Sequence, residues 1–505
     1  MMAAGKAPVL PHQTFYKPRR GTISDQGRWK MMRQERDSLG TRDVPSEAYY
    51  GIQTLRAAEN FPVSGRRERP ELIRAYATVK KAAALANMDL GMLDQERGGA
   101  IVDAAEELYS GKFADQFPVD IYQAGAGTSF NMNVNEVIAN RALEILGRPR
   151  GDYDFMNPND HVNLAQSTND TFPTASHIAV IADADRLIAE LNALAGALTR
   201  KGREFDALPK TGRTHLMDAL PVTLGDEFHA YAAAVARAAK KVRQRRDDLL
   251  EVAIGGTATG TGENAHPDYR ETVIRHLRRL TSFDLVPARD SFEALQSRSQ
   301  MAAFSGSLRE LALELIRIAN DLRLMNSGST AGFDEITLPA VQPGSSIMPG
   351  KVNPVMAECL DMLAFEVIGH DTTVALAAQA GQFELNVMTP VMVHNILESI
   401  SLLTNYLPVF SNRCIDGIIA HEARMRSYIG TNPILATLLT PKIGYLRAAD
   451  IAHEAMEKRR AIRDLAVEKG ILTVAEADDL FDLKKIAKNH YRNINRKTAT
   501  DERGP

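Results

Sequence analysis

The sequence has almost no cysteine. Cys359 and Cys414 stand far apart in a chain of 505 residues and form no CxxC pair. This scarcity argues against a disulfide framework and against a cysteine-ligated zinc site, because both need several cysteines at defined spacings. It is typical of a protein in a reducing compartment, so we expect a cytoplasmic location.

The chain also lacks an excess of one charge and a long apolar run. Its 60 Lys and Arg residues nearly balance its 63 Asp and Glu residues, which leaves a net charge of −3. No global field therefore attracts nucleic acid or an anionic membrane. No apolar run reaches the roughly 18 residues of a membrane span, and the N-terminus lacks the apolar core of a secretory signal. We expect neither a nucleic-acid partner nor a membrane partner.

Sequence motifs for a bound metal or nucleotide are absent as well. The HExxH, EF-hand and GxxxxGK[ST] patterns do not occur, so we expect no metal site and no required cofactor. Residues 255–262 are rich in glycine, but they follow a predicted helix, whereas a dinucleotide fingerprint follows a strand. We interpret this run as a helix stop with a close backbone approach.

The N-terminal segment, residues 1–36, differs in composition from the rest. It carries eight Lys and Arg residues against Asp25 and Glu35, and it contains the only tryptophan, Trp29. We interpret it as a poorly packed extension. A targeting peptide and an arm that docks on a partner subunit remain alternatives.

Five long amphipathic runs dominate the middle of the chain. Most begin at a proline or a cap residue, and they cover residues 173–205, 222–254, 297–326, 354–382 and 389–407. Helices of this length predict an elongated bundle in a mostly α-helical protein. Several runs are apolar on more than one face, which predicts that bundles from several subunits pack together. A large core within one monomer is the alternative.

This pattern divides the chain into four parts. The basic N-terminal extension (1–36) precedes a mixed, mainly helical domain (37–170). The helical bundle domain (171–425) follows, and a small helical domain (426–505) ends the chain.

Four segments are rich in small polar side chains. They are residues 125–133, 157–170, 212–218 and 343–354, and each lies shortly before or at the start of a predicted helical run. Helix N-termini attract anions, and Ser, Thr and Asn add neutral donors. Helix capping is the better explanation of any one segment, but a cap needs only one or two such residues and the first two segments hold more. Taken together, the four segments predict a pocket for a small polyanion.

The fourth segment combines groups that suit proton abstraction. Lys351 and Asn353 offer a positive charge and an amide to a carboxylate, and Ser345 reaches the same substrate if the loop folds over it. A serine hydroxyl acts as a base only when a cation and backbone donors stabilise its alkoxide. The glycines and prolines of the segment are typical of a mobile lid.

This segment resembles the signature loop of the fumarase/aspartase superfamily. Residues 344–354 read GSSIMPGKVNP, and the resemblance extends from about residue 40 to about residue 482. Four motifs resemble the aspartases more than the class II fumarases: GAGTS (125–129), NPND (157–160), QSTN (166–169) and PVMAE (354–358). Met217 and Thr389 depart from the aspartase pattern, which bears on substrate preference.

The resemblance implies a fold, an assembly and a reaction. The fold has three mostly helical domains with a five-helix bundle in the middle one. Four subunits assemble a twenty-helix core, and each active site combines segments of three subunits. The reaction is the reversible deamination of L-aspartate to fumarate and ammonia by anti-elimination through an aci-carboxylate. No cofactor is required, and activation by a divalent cation stays open.

The resemblance also implies catalytic roles for three residues. Ser345 removes the Cβ proton, and His215 and Lys351 act with it. Glu358 is implied to be a partner of His215. Because His161 and His177 have no matching motif role, we interpret both as structural.

The substrate-binding residues follow from the same matched motifs. The β-carboxylate, which becomes the aci-carboxylate, is implied to be held by Thr128, Ser167, Thr168 and Ser346. The α-carboxylate is implied to be held by Lys351, Asn353 and Thr214. Asn169 and His215 face the amino group.

Three other functions remain open. A class II fumarate hydratase would act on malate and fumarate, and another lyase of the superfamily would act on a substituted succinate. A non-catalytic helical scaffold is the third alternative. Retention of Ser345, Lys351, Asn353 and His215 argues against the scaffold, because a scaffold has no need of them.

Overall fold

The computed structural model describes residues 31–487. Within these residues the protein is mostly α-helical, with seventeen α-helices and eight short strands. In this part of the chain, no helix combines the length and the apolar character needed to cross a membrane.

The N-terminal region begins with an antiparallel hairpin of β1 (Met32–Asp37) and β2 (Gly40–Pro45). Residues 32–36, which the sequence assigned to the basic extension, therefore lie in a strand. Residues 1–30 of that extension lie outside the described residues. The helices that follow are α1 (Ile52–Asn60), α2 (Pro70–Asp89), α3 (Gln95–Tyr109) and α4 (Thr128–Ile145).

The middle region contains the long helices and three pairs of strand partners. In chain order its elements are α5 (Thr168–Glu204), β3 (Pro209–Thr214), β4 (Met217–Thr223), α6 (Leu224–Asp248), β5 (Glu251–Val252), α7 (Tyr269–Thr281), β6 (Val286–Pro287), α8 (Ser291–Gln296), α9 (Ser299–Met325), β7 (Ile336–Thr337), α10 (Val355–Gln379), α11 (Thr389–Phe410) and β8 (Ile419–Ala420). The strands pair as β3 with β4, β5 with β6 and β7 with β8.

Five of these helices form a closed bundle, which confirms the predicted five-helix architecture. Each packs on two others in the cyclic order α5, α6, α9, α10, α11 and back to α5. Their inward faces contribute to one continuous apolar core that also takes in α2, α3 and α4. The bundle is therefore the frame that positions the loops at its two ends.

The C-terminal region has short helices around a second, smaller core. Its helices are α12 (Glu422–Ile429), α13 (Thr440–Ile443), α14 (Tyr445–Lys458), α15 (Ile462–Glu468), α16 (Val474–Leu480) and α17 (Leu483–Ala487). The boundary predicted between residues 425 and 426 lies inside α12.

The longest helix starts earlier than the sequence predicted. α5 begins at Thr168, because Ser167 caps it in a capping box with Asp170, whereas the prediction placed the start at Pro173. Pro173 lies in the second turn and removes only one backbone hydrogen bond. The domain boundary predicted between residues 170 and 171 therefore lies inside α5. The predicted end of α11 was also too early, since the helix continues through Pro408.

The course of the chain defines two ends of the bundle. At the first end, α5, α9 and α11 begin, and Gly255 of the segment after α6 donates its N–H to Asp170 at the start of α5. At the second end, α6 and α10 begin, and Gly225 donates its N–H to the carbonyl of Phe205 just beyond α5. The 37 residues of α5 separate the two ends by about 55 Å at a rise of 1.5 Å per residue.

Candidate functional site

Thr128 lies at the first end of the bundle, where a tight turn leads into α4. Residues Gly125–Gly127 form this turn, and Gly127 has a left-handed backbone with φ of 80°. A Cβ atom on Gly127 would lie 2.0 Å from the ring of Phe172, so only glycine fits this contact. The exposed Thr128 hydroxyl donates to the carbonyl of Gly125 at 3.2 Å.

Ser167, Thr168 and Asn169 lie at the same end, at the start of α5. The hydroxyl oxygen of Ser167 accepts from the N–H of Asn169 at 3.1 Å, as a helix cap does. The side-chain amide of Asn169 donates to the carbonyl of Ala258 at 2.8 Å. Capping is therefore part of the role of Ser167, and its hydroxyl hydrogen stays available to a ligand.

The glycine-rich segment at residues 255–262 packs against this helix start. Asp170 accepts from the N–H of Gly255 at 3.0 Å and from the N–H of Thr257 at 2.9 Å. A Cβ atom on Gly255 would lie 2.7 Å from Cβ of Arg270, so the predicted close backbone approach is present. The sequence did not predict that this loop lies beside Asn169. The glycine- and threonine-rich composition of the loop was the one signal of a functional position. Burial raises the pKa of Asp170 to about 7, against the backbone donors that lower it.

The two histidines interpreted as structural have backbone partners. Nδ1 of His161 accepts from the N–H of Asn157 at 2.8 Å. Nδ1 of the buried His177 lies 3.1 Å from the carbonyl of Leu249 and 3.0 Å from that of Glu251. Burial lowers the pKa of His177 to about 4, so the ring is neutral at pH 7 and Nδ1 carries the donated hydrogen.

Thr214 and His215 lie at the second end, at the tip of the β3–β4 hairpin. His215 and Leu216 both have left-handed backbones, with φ of 54° and 60°, as a type I′ turn requires. Thr214 pairs with Met217 across the turn. The side chains of Thr214 and His215 are exposed, so the hairpin presents both to whatever packs against this end.

A buried group of charges anchors this hairpin. Nζ of Lys210 donates to Glu335 at 2.7 Å and to Glu227 at 2.8 Å, and the guanidinium of Arg213 donates to Glu335 at 2.6 Å. The Arg213 guanidinium also lies 4.2 Å from the ring centroid of Phe333. These contacts hold the hairpin against the segment that leads to α10. Sequence reasoning did not find them, because Glu335 lies more than a hundred residues from both Lys210 and Arg213.

The loop at residues 343–354 closes on itself at the second end. The N–H of Gly344 donates to the carbonyl of Lys351 at 3.0 Å, and the amide of Asn353 donates to the carbonyl of Gly344 at 2.5 Å. A Cβ atom on Gly344 would lie 2.2 Å from the carbonyl oxygen of Lys351. Closure of the loop places Ser345 next to the backbone of Lys351 and Asn353.

Ser345 lies in a nest of backbone donors. Its hydroxyl oxygen accepts from the N–H of Ile347 at 3.2 Å and from the N–H of Met348 at 2.9 Å. Donors of this kind stabilise negative charge on oxygen. Ser345 is half-buried, whereas the side chains of Ser346 and Lys351 are exposed.

The structure places the predicted residues at the two ends of the bundle rather than at one, and we treat each end as a group. The first group holds Thr128, Ser167, Thr168 and Asn169. The second group holds Thr214, His215, Ser345, Ser346, Lys351, Asn353 and Glu358. The length of α5 separates the groups, so one chain does not form a complete pocket. Glu358 lies in the first turn of α10, and no hydrogen bond among the described residues joins it to His215.

Each end of the bundle has a cavity beside its group. A cavity of about 540 Å³ is lined by Thr128, Ser129 and Asn157 at the first end. A cavity of about 1030 Å³ is lined by Arg323, Lys351 and Asn353 at the second end.

Within residues 31–487, no group of three or more His, Cys, Asp or Glu side chains is arranged to hold a metal ion. The predicted absence of a required cofactor stays a prediction.

Comparison with protein families matches most of the chain. A family model described as lyase matches residues 40–369, and a model of the fumarase C C-terminus matches residues 435–488. The chain is 49% identical to the aspartate ammonia-lyase of Bacillus subtilis (strain 168), an alignment that covers 91% of this chain and 97% of that protein. It is 44% identical to the aspartate ammonia-lyase of Escherichia coli (strain K12), with 93% and 98% covered.

Solved structures have the same fold. A fumarate lyase:delta crystallin from Brucella melitensis superposes with a TM-score of 0.88 at 46% identity and covers 91% of this chain and 100% of its own. A class II fumarase from Schistosoma mansoni also has a TM-score of 0.88, at 36% identity and the same coverage.

Proposed function

The chain belongs to the fumarase/aspartase family of lyases, and on this basis we propose that it eliminates ammonia reversibly from L-aspartate to give fumarate. The observation that carries this function is the 44–49% identity to aspartate ammonia-lyases over about nine-tenths of the chain. Identity to the class II fumarase is lower, at 36%. The protein is thus a carbon–nitrogen lyase.

Ser345 is the proposed base that removes the Cβ proton. The N–H groups of Ile347 and Met348 already contact its oxygen and stabilise an alkoxide there. Lys351 adds positive charge and, with Asn353 and Thr214, binds the α-carboxylate. The hydrogen bonds that close the loop hold the base and this binding group together.

Removal of the Cβ proton leaves a second negative charge on the β-carboxylate, as an aci-carboxylate. We assign Thr128, Ser167, Thr168 and Ser346 to this group, because neutral hydroxyl donors stabilise added charge without a counter-ion. Three of these four lie at the N-termini of α4 and α5, where the helix dipole favours an anion.

Loss of the amino group completes the reaction. Asn169 and His215 are proposed to face it, and Glu358 is proposed to orient His215. Ammonia then leaves from the face opposite the removed proton. The electron pair of the aci-carboxylate forms the C=C bond of fumarate as the C–N bond breaks and its electron pair leaves with ammonia. The protein supplies only a base, a positive charge and hydrogen-bond donors, so no cofactor is required, and a divalent cation would serve only as an activator.

A homotetramer with sites shared by three subunits would unite the two groups. Antiparallel packing of bundles places the first end of one chain against the second end of another. The outer face of α10 supports this packing, because Met362, Phe365 and Leu376 are 57–62% exposed in the single chain. We propose the twenty-helix core that results, in a cytoplasmic protein whose two cysteines are free.

One assay tests the reaction. Purified protein is incubated separately with L-aspartate and with L-malate, and fumarate is followed by its ultraviolet absorbance. Fumarate from L-aspartate alone supports the ammonia lyase. Fumarate from L-malate alone contradicts the ammonia lyase and favours the hydratase. Met217 and Thr389, which depart from the aspartase pattern, bear on this choice of substrate. If neither compound gives fumarate, the result indicates that the substrate is another substituted succinate.

A further inference from the structure

A network of buried side chains lies behind the proposed carboxylate-binding residue Thr168. The network consists of Lys80 on α2, Asn131 and Asn135 on α4, and Asn163 and Gln166 in the turn before α5. Lys80 and Asn131 are almost completely buried, at 0% and 1% exposed. Nζ of Lys80 donates to Oδ1 of Asn163 and to Oε1 of Gln166, both at 2.9 Å.

Backbone carbonyls determine which way the two amides in the turn point. The Nε2 atom of Gln166 donates to the carbonyls of Val162 and Leu164, each at 3.1 Å. The Nδ2 atom of Asn163 donates to the carbonyl of Gln166 at 3.1 Å. A carbonyl only accepts, so both amide oxygens must face inward. There the Lys80 amine supplies hydrogens to them.

The position of the Asn163 amide oxygen determines the orientation of the Asn131 amide. Its Nδ2 atom lies 3.4 Å from Oδ1 of Asn163 and 3.0 Å from Oγ1 of Thr168. An inverted Asn131 amide would place two acceptor oxygens against each other, so the donor must face both partners. Thr168 therefore accepts from Asn131. Within the described chain, its own hydroxyl hydrogen has no protein acceptor.

We propose that Asn131 is a positioning residue that keeps the Thr168 hydroxyl turned outward as a donor to the substrate β-carboxylate. Lys80, Asn163 and Gln166 hold Asn131 in the required orientation. The inference rests on the proposed role of Thr168 in binding that carboxylate. The donor matters most in the transition state, because negative charge on the carboxylate grows there.

A double-mutant cycle tests this dependence. Thr168→Val removes the donor, and Asn131→Leu removes the group that orients it. Each single variant should lower kcat/KM for L-aspartate by about ten- to a hundredfold, the loss of a hydrogen bond to a charged group. The double variant should be no worse than Thr168→Val, because Asn131 acts only through Thr168. Losses that multiply would overturn the proposal.

Two further variants cover changes in folding and polarity. Asn131→Ser is too short to reach Thr168 and should repeat the loss if the leucine variant does not fold. Asn131→Asp turns a donor into an acceptor of the Thr168 hydrogen, so it should lower kcat/KM at least as far. Asn133→Leu is the matched control, because Asn133 is equally buried on α4 but donates to the carbonyl of Gln116. It should leave kcat/KM of the folded enzyme unchanged.

The outcomes separate this inference from the proposed function. A Thr168→Val variant with unchanged kcat/KM would remove Thr168 from the carboxylate site. A defective Thr168→Val variant beside fully active Asn131 variants would overturn only the positioning role of Asn131.

Discussion

At the residue scale, the proposed chemistry depends on a few side chains whose surroundings differ sharply. Ser345 and Lys351 are in a surface loop, and the sequence motif alone identified them. Lys80 and Asn131 are buried behind the proposed substrate-binding turn. Asn131 lies in the polar segment 125–133, but no motif assigned a role to either residue. A buried polar side chain shows its role only through its partners, and those partners come from other helices.

The proposed base is the most direct residue to change. Ser345→Ala should lower kcat with L-aspartate by at least about a hundredfold, because it removes the group that takes the proton. Ser346→Ala is the matched neighbour and should lower kcat by a smaller factor, because the other three hydroxyl donors still stabilise the aci-carboxylate. Size-exclusion chromatography should show the same assembly for both. Near-normal turnover of the Ser345 variant would reject the assignment.

His177 should make stability depend on pH. Its ring is held neutral in the folded state with a pKa of about 4, against an ordinary value of 6.5. The unfolded chain binds the extra proton first as the pH falls. The stability present above pH 6.5 is therefore lost between pH 6.5 and pH 4, by of the order of 3 kcal/mol.

The pH dependence of stability is tested with a variant that lacks the titrating ring of His177. His177→Gln keeps a donor for the carbonyls of Leu249 and Glu251, so its unfolding free energy should fall less between the same two pH values. Exposed His453→Gln serves as the control. Equal pH slopes for the wild type and the His177 variant, measured by chemical denaturation, would contradict the prediction.

At the element scale, local signals predicted the long helices but misplaced some of their ends. Proline at residue 173 looked like a helix start, yet the capping box of Ser167 and Asp170 starts α5 earlier. The loop before α10 is held closed by hydrogen bonds between its two arms, and the sequence pattern predicted only that it was a lid.

Loop closure can be tested at Gly344. Gly344→Ala places a methyl group against the carbonyl of Lys351, so the two arms must separate and Ser345 must move. We expect kcat/KM to fall by about a hundredfold, the effect of a misplacement of about 1 Å. Gly99→Ala on α3 is the control, because its Cβ atom would meet nothing within 4 Å. Equal activity of the two variants would exclude a role for closure.

At the scale of the whole molecule, the bundle separates the two groups of candidate functional residues. The apolar patterning of the helices predicted association of several chains. The position of each group at one end of the bundle became clear only in the folded chain. A pocket made of both groups needs a second copy of the chain.

Shared sites predict complementation between inactive chains. Co-expressed Thr168→Val and Ser345→Ala chains should recover about a quarter of wild-type activity, because some sites receive an intact segment from each chain. Ser345→Ala with Lys351→Met is the control, and this pair should not recover, since both changes lie in one loop of one subunit. An absence of recovery by the first pair, with mixed oligomers confirmed by mass spectrometry, would argue against shared sites.

The sequence by itself determined the helical bundle and singled out the loop at residues 343–354 as the candidate for proton abstraction. Helix periodicity and loop motifs are local properties, so they can be read without a fold. The tertiary structure decided which polar segments meet, how Glu335 anchors the His215 hairpin, and how Lys80 and Asn131 support Thr168. These contacts join residues far apart in the chain, and their burial and orientation exist only once the helices have packed.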